Sequence, residues 1–416
     1  MRKLLTLLIF ALFNPIQAQV PWLTGESRAE DIRIKLVTFG PGDDVPSWWG
    51  HGGIIVEDIG NREAKIYNFG LYSFDRTMLM KFAMGRLIFS VGTFSVPGYL
   101  KYYEKMNRDV RIQTLDIPPE KKLKMAYDLA VNVLPENRDY LYDHYYDNCS
   151  TRLRDIIDKA VDGALYEATD VQAGMTLRDH TKRYVGHNPP MEMLLMFLMN
   201  DEIDQPIKEW DEMFLPDELE KYVANLSYAD ESGNEHQLVS DYYIYYKADR
   251  DPVPDKVPVH WPGAFFVGII IGIIPLSITL WLKNTGSQWA KVIFGVYITM
   301  LGLLIGIPGL GLGIIASFTD HVITYHNENL FLANPVTFLL IPIGIMLSLN
   351  WRKALKWLKW IWILHIVLML LLIFLKLLPA FDQDNGLVFA LIIPLYLLNG
   401  YAVLKAEQAA VNKSVS

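Results

Sequence analysis

From about Trp261 onward the chain is apolar in long runs, and no soluble core needs so many of them. The segments are Ala264–Leu282, Val292–Phe318, Phe331–Leu349, Trp357–Leu378 and Leu387–Leu404. Each reaches the ~17 residues that a normal helix needs to cross a bilayer. Several contain Pro or Gly, which membrane helices tolerate. The residues before Trp261 are mixed and charged. Two solvents therefore shape the chain, and the pattern predicts a soluble domain followed by five transmembrane helices.

Charge gives the expected orientation. Arg2 and Lys3 precede a short apolar core, Leu4–Phe13, and small-residue positions up to Ala18. That is the pattern of a secretory signal peptide over residues 1–18, with no cysteine at the cleavage site. If it exports residues 19–248, the first span runs outside to inside. The loop KNTGSQWAK is then inside and basic, and TDHVITYHNEN is outside without Lys or Arg. NWRKALKWLK is inside and strongly basic, while PAFDQDNG is outside and acidic. Every short loop follows the positive-inside rule. A proline-rich linker over 249–260, a membrane domain over 261–405 and a cytoplasmic tail over 406–416 complete the expected organisation. The overall formal charge of −8 gives no broad nucleic-acid surface.

Within the soluble part, Ile32–Phe39, Ile54–Val56, Lys65–Phe69, Leu87–Val91, Val110–Leu115 and Val239–Tyr246 read as strands. Pro118–Leu134 and Glu218–Val223 read as helices. Leu153, Ile156, Ile157 and Ala160 recur on one helical face, so a helix follows YDHYYDNCS. An α+β domain is expected. Met191–Met199 is apolar but too short to span a bilayer, and core packing is its default.

Cys149 is the only cysteine. It falls at the start of the predicted helix, where free backbone N–H groups and the helix dipole favour a thiolate. Most lone cysteines are small buried hydrophobes, and the residues alone leave both readings open. A thiol nucleophile needs a base and oxyanion donors. His51, flanked by Gly50, Gly52 and Gly53, is the first candidate base, and His144 is the second. Asn68, Tyr67 and Asp75 are candidates to orient the imidazole, and the Cys149 N–H is a candidate oxyanion donor. Arg152, Arg154 and Arg178 are candidates for a lipid phosphate. His321 and His326 in the loop 319–329 lack a third ligand and read as a polar hairpin rather than a metal site.

The segments GHGGIIVED, IYNFGLYSFDRTMLMKFAMGRLIFS, YDHYYDNCSTRLRD and MFLPDELEKYV, in that order, resemble the Lnb N-terminal periplasmic domain family. HNENLFLANP in an outer loop is similar to the membrane half of full-length members. The resemblance implies a lipoprotein N-acyltransferase of the Bacteroidota, with Cys149 as nucleophile and His51 as base. It also implies a permuted papain-like fold of the NlpC/P60 superfamily, in which histidine precedes cysteine. The implied donors are membrane phospholipids and the implied acceptors are diacylated lipoproteins, at an inner membrane with the catalytic domain periplasmic. No metal or organic cofactor is implied. The competing expectations are a Cys–His peptidoglycan endopeptidase or amidase, and a non-catalytic membrane assembly or binding protein.

Overall fold

The computed structural model describes residues 20–72, 76–230, 233–350 and 352–415. The expected signal peptide, Met1–Ala18, lies outside the described residues, as does Asp75. The chain divides into two compact units. The first comprises the described residues of Met1–Phe74, with Leu87–Gln172 and Lys208–Asp251. The second comprises the described residues of Asp75–Arg86, Ala173–Ile207 and Pro252–Ser416.

The first unit is built on strands β1 (Ile32–Phe39), β2 (His51–Asp58), β3 (Glu63–Leu71), β4 (Ile88–Ser95), β5 (Val110–Leu115) and β6 (Asp139–Leu141). A short hairpin of β7 (Ser227–Ala229) and β8 (Glu235–Gln237) precedes β9 (Val239–Tyr246). Seven strands pair antiparallel in the order β6-β4-β3-β2-β1-β5-β9. Phe39 on β1 faces His51 on one side and Val110 on the other, so three strand ends meet at one edge.

Strand periodicity sorts the side chains onto two faces. Ile34, Leu36, Ile54, Val56, Tyr67 and Phe69 share one core cluster, with helices α2 (Pro119–Asn132), α3 (Cys149–Ala160) and α4 (Pro216–Asn225) packed on it. Val37, Phe39, Ile55, Ile66, Val110 and Ile112 form the opposite cluster, with α1 (Val96–Lys105) contributing Leu100 and Tyr103. The sheet is thus covered on both faces, which explains why its central strands are apolar at nearly every position.

Arg111 on β5 ties α4 to the sheet. Its Nε donates to both Glu220 oxygens at 2.7 and 3.0 Å, and its Nη2 donates to Asp217. These partly buried charges compensate one another, so removing one leaves the others uncompensated.

In the second unit, four helices are long and apolar enough to cross a membrane: Trp261–Thr285, Gln288–Phe318, Lys353–Leu375 and Gly386–Gln408. The expected segment Phe331–Leu349 is instead a pair, Val322–Phe331 and Pro335–Ser348, bent by 61°. Counted as one span it makes the fifth. Gly295 and Gly344 let two of these elements touch, since a Cβ on Gly295 would lie 2.4 Å from the Gly344 carbonyl oxygen. The apolar piece near Met191 is a helix, Pro189–Leu198, and its Phe197 joins the core of this unit. The Asn329 side chain donates to the carbonyls of Met196 and Phe197, and Asn327 donates to that of Leu198. These asparagines satisfy carbonyls that a helix end leaves without partners. His365 sits between Thr337 Oγ1 at 2.7 Å and the Ile361 carbonyl at 2.8 Å, so its ring nitrogens are both engaged.

Replacing Arg111 by Ala is expected to lower the stability of the first unit by about 3 kcal/mol. Thermal unfolding of the detergent-solubilised full chain, followed by the tryptophans that are absent from β5 and α4, checks this.

Candidate functional site

The DNCSTRLRD run is spent almost residue by residue on fixing one helix start. Asn148 is the N-cap of α3, and its Oδ1 accepts from the amides of Ser150 at 2.7 Å and Thr151 at 3.0 Å. Thr151 Oγ1 returns the bond by accepting from the Asn148 amide at 2.8 Å, which closes a capping box. The Asn148 Nδ2 donates to the carbonyls of His144 at 2.7 Å and Phe214 at 3.0 Å. Ser150 Oγ donates to the Met213 carbonyl at 2.7 Å. Arg152 grips Asp147 through Nε at 2.6 Å and Nη2 at 2.8 Å, and lies over the Tyr140 ring. The amides of Ser150 and Thr151 are therefore engaged by Asn148, and those of Cys149 and Ser150 both favour the charged form of the Cys149 sulfur.

Helix α3 approaches β2 through Leu153. A Cβ on Gly52 would lie 2.8 Å from Leu153 Cδ1, so a larger residue there would require the Leu153 side chain to shift. The Gly52 amide on this strand favours the charged form of the Cys149 sulfur. His51 is the preceding residue and stands on the other face of the strand. There it stacks with Tyr103, ring centroids 6.3 Å apart and planes within 9°. The pairing between β2 and β3 begins at Gly53 opposite Asn68, so His51 lies just beyond the paired part of β2.

Asn68 holds the imidazole. Its Oδ1 accepts from the Gly70 amide at 2.7 Å and lies 2.7 Å from His51 Nε2. An atom that accepts the Gly70 N–H is the oxygen of the carboxamide, so Nε2 is the protonated nitrogen and Nδ1 carries the lone pair. Gly70 makes room for the ring, because a Cβ there would lie 2.6 Å from His51 Cε1.

One further charge faces this edge. Arg108, between α1 and β5, is 8% exposed. Its Nε donates to the Gly40 carbonyl at 2.7 Å, and its guanidinium carbon lies 4.7 Å from the Tyr103 ring centroid. Its Nη2 is buried and has no hydrogen-bond partner among the described residues.

Burial pushes the Cys149 thiol up to about 11, against the pull of the Gly52, Cys149 and Ser150 amides and of Arg108. Burial, then the charge of Arg108, lowers His51 to about 4, and the Asn68 bond works the other way. Both residues keep partial contact with solvent, so water moderates these shifts and a substrate has a way in. At neutral pH these shifts favour a thiol at Cys149 and a neutral imidazole at His51. The thiolate expected from a helix start alone is disfavoured, because the loss of solvent outweighs the amides that favour it.

The remaining sequence candidates lie as follows. His144 packs edge-on against Trp49, ring centroids 4.7 Å apart, with Nδ1 3.2 Å from Tyr142 Oη and Nε2 buried without a partner. Tyr67 Oη accepts from Trp22 Nε1 at 2.9 Å, inside the core. Arg154 donates to Asp155 and to the Trp210 carbonyl, at 2.8 and 3.1 Å. Arg178 belongs to the second unit, where it is 1% exposed and bonds Asp204 and the carbonyls of Met199 and Asn200. The sequence reading passed over Arg108. Its only local signal was a basic residue beside Asn107, which turns the chain at positive φ.

Iodoacetamide is expected to alkylate Cys149 slowly at neutral pH, with the rate climbing towards pH about 11 as the thiol ionises. A resting thiolate–imidazolium pair would instead react at its full rate through neutrality, so the pH profile of alkylation, read by intact mass, separates the two states.

Residues 18–183 match the family model of the Lnb N-terminal periplasmic domain. No curated protein and no solved structure matches the chain. The matched stretch contains Cys149, His51, Asn68 and Arg108, and over it the chain is similar to the Lnb N-terminal periplasmic domain family.

Proposed function

We propose that the protein is a lipoprotein N-acyltransferase that moves an acyl chain from a membrane phospholipid, through a thioester on Cys149, to the free amine of diacylglyceryl-cysteine lipoproteins. The observation that carries this reading is the setting of His51: Nε2 is held by Asn68, Nδ1 is left as a base, and the next amide along β2 favours the charged form of the Cys149 sulfur. Helices apolar enough for a bilayer, in the same chain, favour a lipid substrate. The order histidine before cysteine, with the cysteine at a helix start packed against the histidine strand, suits a permuted papain-like fold. The positive-inside pattern favours a periplasmic catalytic domain at the inner membrane, five spans and a cytoplasmic C-terminus.

In the first half-reaction, Cys149 Sγ attacks the ester carbonyl carbon while His51 Nδ1 takes the thiol proton. The neutral resting pair makes proton transfer part of the attack. The Cys149 and Gly52 amides stabilise the oxyanion as charge moves to the carbonyl oxygen. The C–O bond then breaks, His51 returns the proton to the leaving alkoxide, and a lysophospholipid departs. In the second half-reaction the neutral α-amine attacks the thioester carbonyl and His51 takes its proton. The C–S bond breaks, the proton passes to sulfur, and an amide and a free thiol result. Two modest barriers replace one high one.

The same residues would serve a peptidoglycan endopeptidase, so the test reads the product. Mass spectrometry of lipoprotein N-terminal peptides is expected to show loss of one amide-linked acyl chain on deletion, restored by the wild-type chain and not by Cys149→Ala. Full restoration by Cys149→Ala would end the covalent route. Gly70→Ala is expected to displace the imidazole and lower acyl transfer by about 100-fold, while the unfolding temperature stays close to that of the wild type. A parallel loss of stability and activity would show instead that Gly70 serves the fold alone.

A further inference from the structure

An arginine as buried as Arg108 ordinarily lies against a carboxylate, because an uncompensated charge in a low-dielectric setting is costly. Among the described residues no carboxylate is bonded to it, and Asp44 acts on it through its charge without a hydrogen bond. Its Nε is used by the Gly40 carbonyl, and its Nη2 finds no acceptor. The guanidinium is held flat by the Tyr103 ring at 4.7 Å, and that ring is 6.3 Å from the His51 ring. A fixed, unmatched cation therefore sits one aromatic ring away from the candidate base. The planar fork of a guanidinium suits two oxygens of one phosphate.

We propose that Arg108 receives the phosphodiester of the acyl donor, so that this contact, absent from the acceptor, sorts the two substrates between the half-reactions. The inference rests on the acyl-transfer reading of the site. In a glycerophospholipid the scissile ester and the phosphate hang from the same glycerol, a few bonds apart. With the ester carbonyl at Cys149 the phosphate falls on the neighbouring part of the edge. The diacylglyceryl-cysteine acceptor carries a thioether where the donor carries its phosphate. It makes no such contact and enters with its amine instead. Tyr72 and Tyr102 are exposed and offer apolar surface for the chain that is left behind.

Arg108 also acts on both Cys149 and His51 through its charge, so the test must separate recognition from electrostatic tuning. The full chain in mixed micelles is given phosphatidylethanolamine, or diacylglycerol bearing the same acyl chains, without acceptor. Formation of the Cys149 acyl-thioester is followed by intact mass. The wild type is expected to favour the phospholipid. Arg108→Gln is expected to slow thioester formation from the phospholipid by about 10- to 100-fold more than from diacylglycerol, erasing the preference whatever change in tuning the two donors share. Arg108→Lys, which keeps the charge but not the fork, should fall between. An equal loss with both donors, or a wild type indifferent to the phosphate, would overturn the assignment of Arg108. If the wild type forms no thioester from either lipid, acyl transfer itself fails and the phosphate site goes with it.

Discussion

The carboxamide of Asn148 is the contact on which the arrangement turns. A helix start leaves several N–H groups without partners, and whichever side chain takes them decides which one stays free. Here Oδ1 takes the amides of Ser150 and Thr151, and Nδ2 ties the same residue to the carbonyls of His144 and Phe214. The Cys149 amide is left over, next to its own sulfur. The helix is thereby registered against the segment leading into α4, and α4 is registered against β5 by Arg111. A position on a helix becomes a position relative to the sheet through side-chain bonds rather than through loop stiffness.

Two glycines complete the register from the strand side. At Gly52 the missing side chain lets Leu153 bring α3 down onto β2, and at Gly70 it leaves the volume that the His51 ring occupies. Alternation along β2 puts His51 and Gly52 on opposite faces, so an imidazole and a helix start approach one strand end from both sides. Neither glycine needs an unusual backbone conformation for this, since their role is to have no Cβ.

Much of this was legible in the chain. β1, β5 and β9 fall where alternation places them, and Leu153, Ile157 and Ala160 are buried as the helical period requires. Asn68 is one of three candidates that the sequence leaves open for orienting the His51 ring, and its Oδ1 lies 2.7 Å from Nε2. What escaped was set by partners distant in sequence. Helix α1 begins directly at the end of β4, with Pro97 near its start, and its apolar face is small because it covers only a few strand positions. Arg108 looks like any other basic residue until β1 brings the Gly40 carbonyl to it. The third apolar segment reads as one span by hydropathy, which measures length and not the break at Ala333–Asn334. The protonation state escaped for the same reason. A helix start can be seen in sequence, whereas the removal of solvent around the sulfur cannot.

Asn68 gives that protonation state its meaning. An aspartate in its place would fix the same tautomer but would also stabilise the imidazolium, as in serine-protease triads. A neutral carboxamide orients the ring and raises its basicity too little to offset burial. Arg108 works against a second positive charge at His51 but also favours the thiolate at Cys149, whereas burial works against both charged forms. Burial is therefore the influence that favours thiol and imidazole over thiolate and imidazolium. For a single cysteine that has no partner for a disulfide, a neutral thiol is also the less oxidisable form. On the proposed acyl-transfer reading, the nucleophile is generated where a carbonyl is already in place to receive the electrons, and the proton has a single nitrogen to go to.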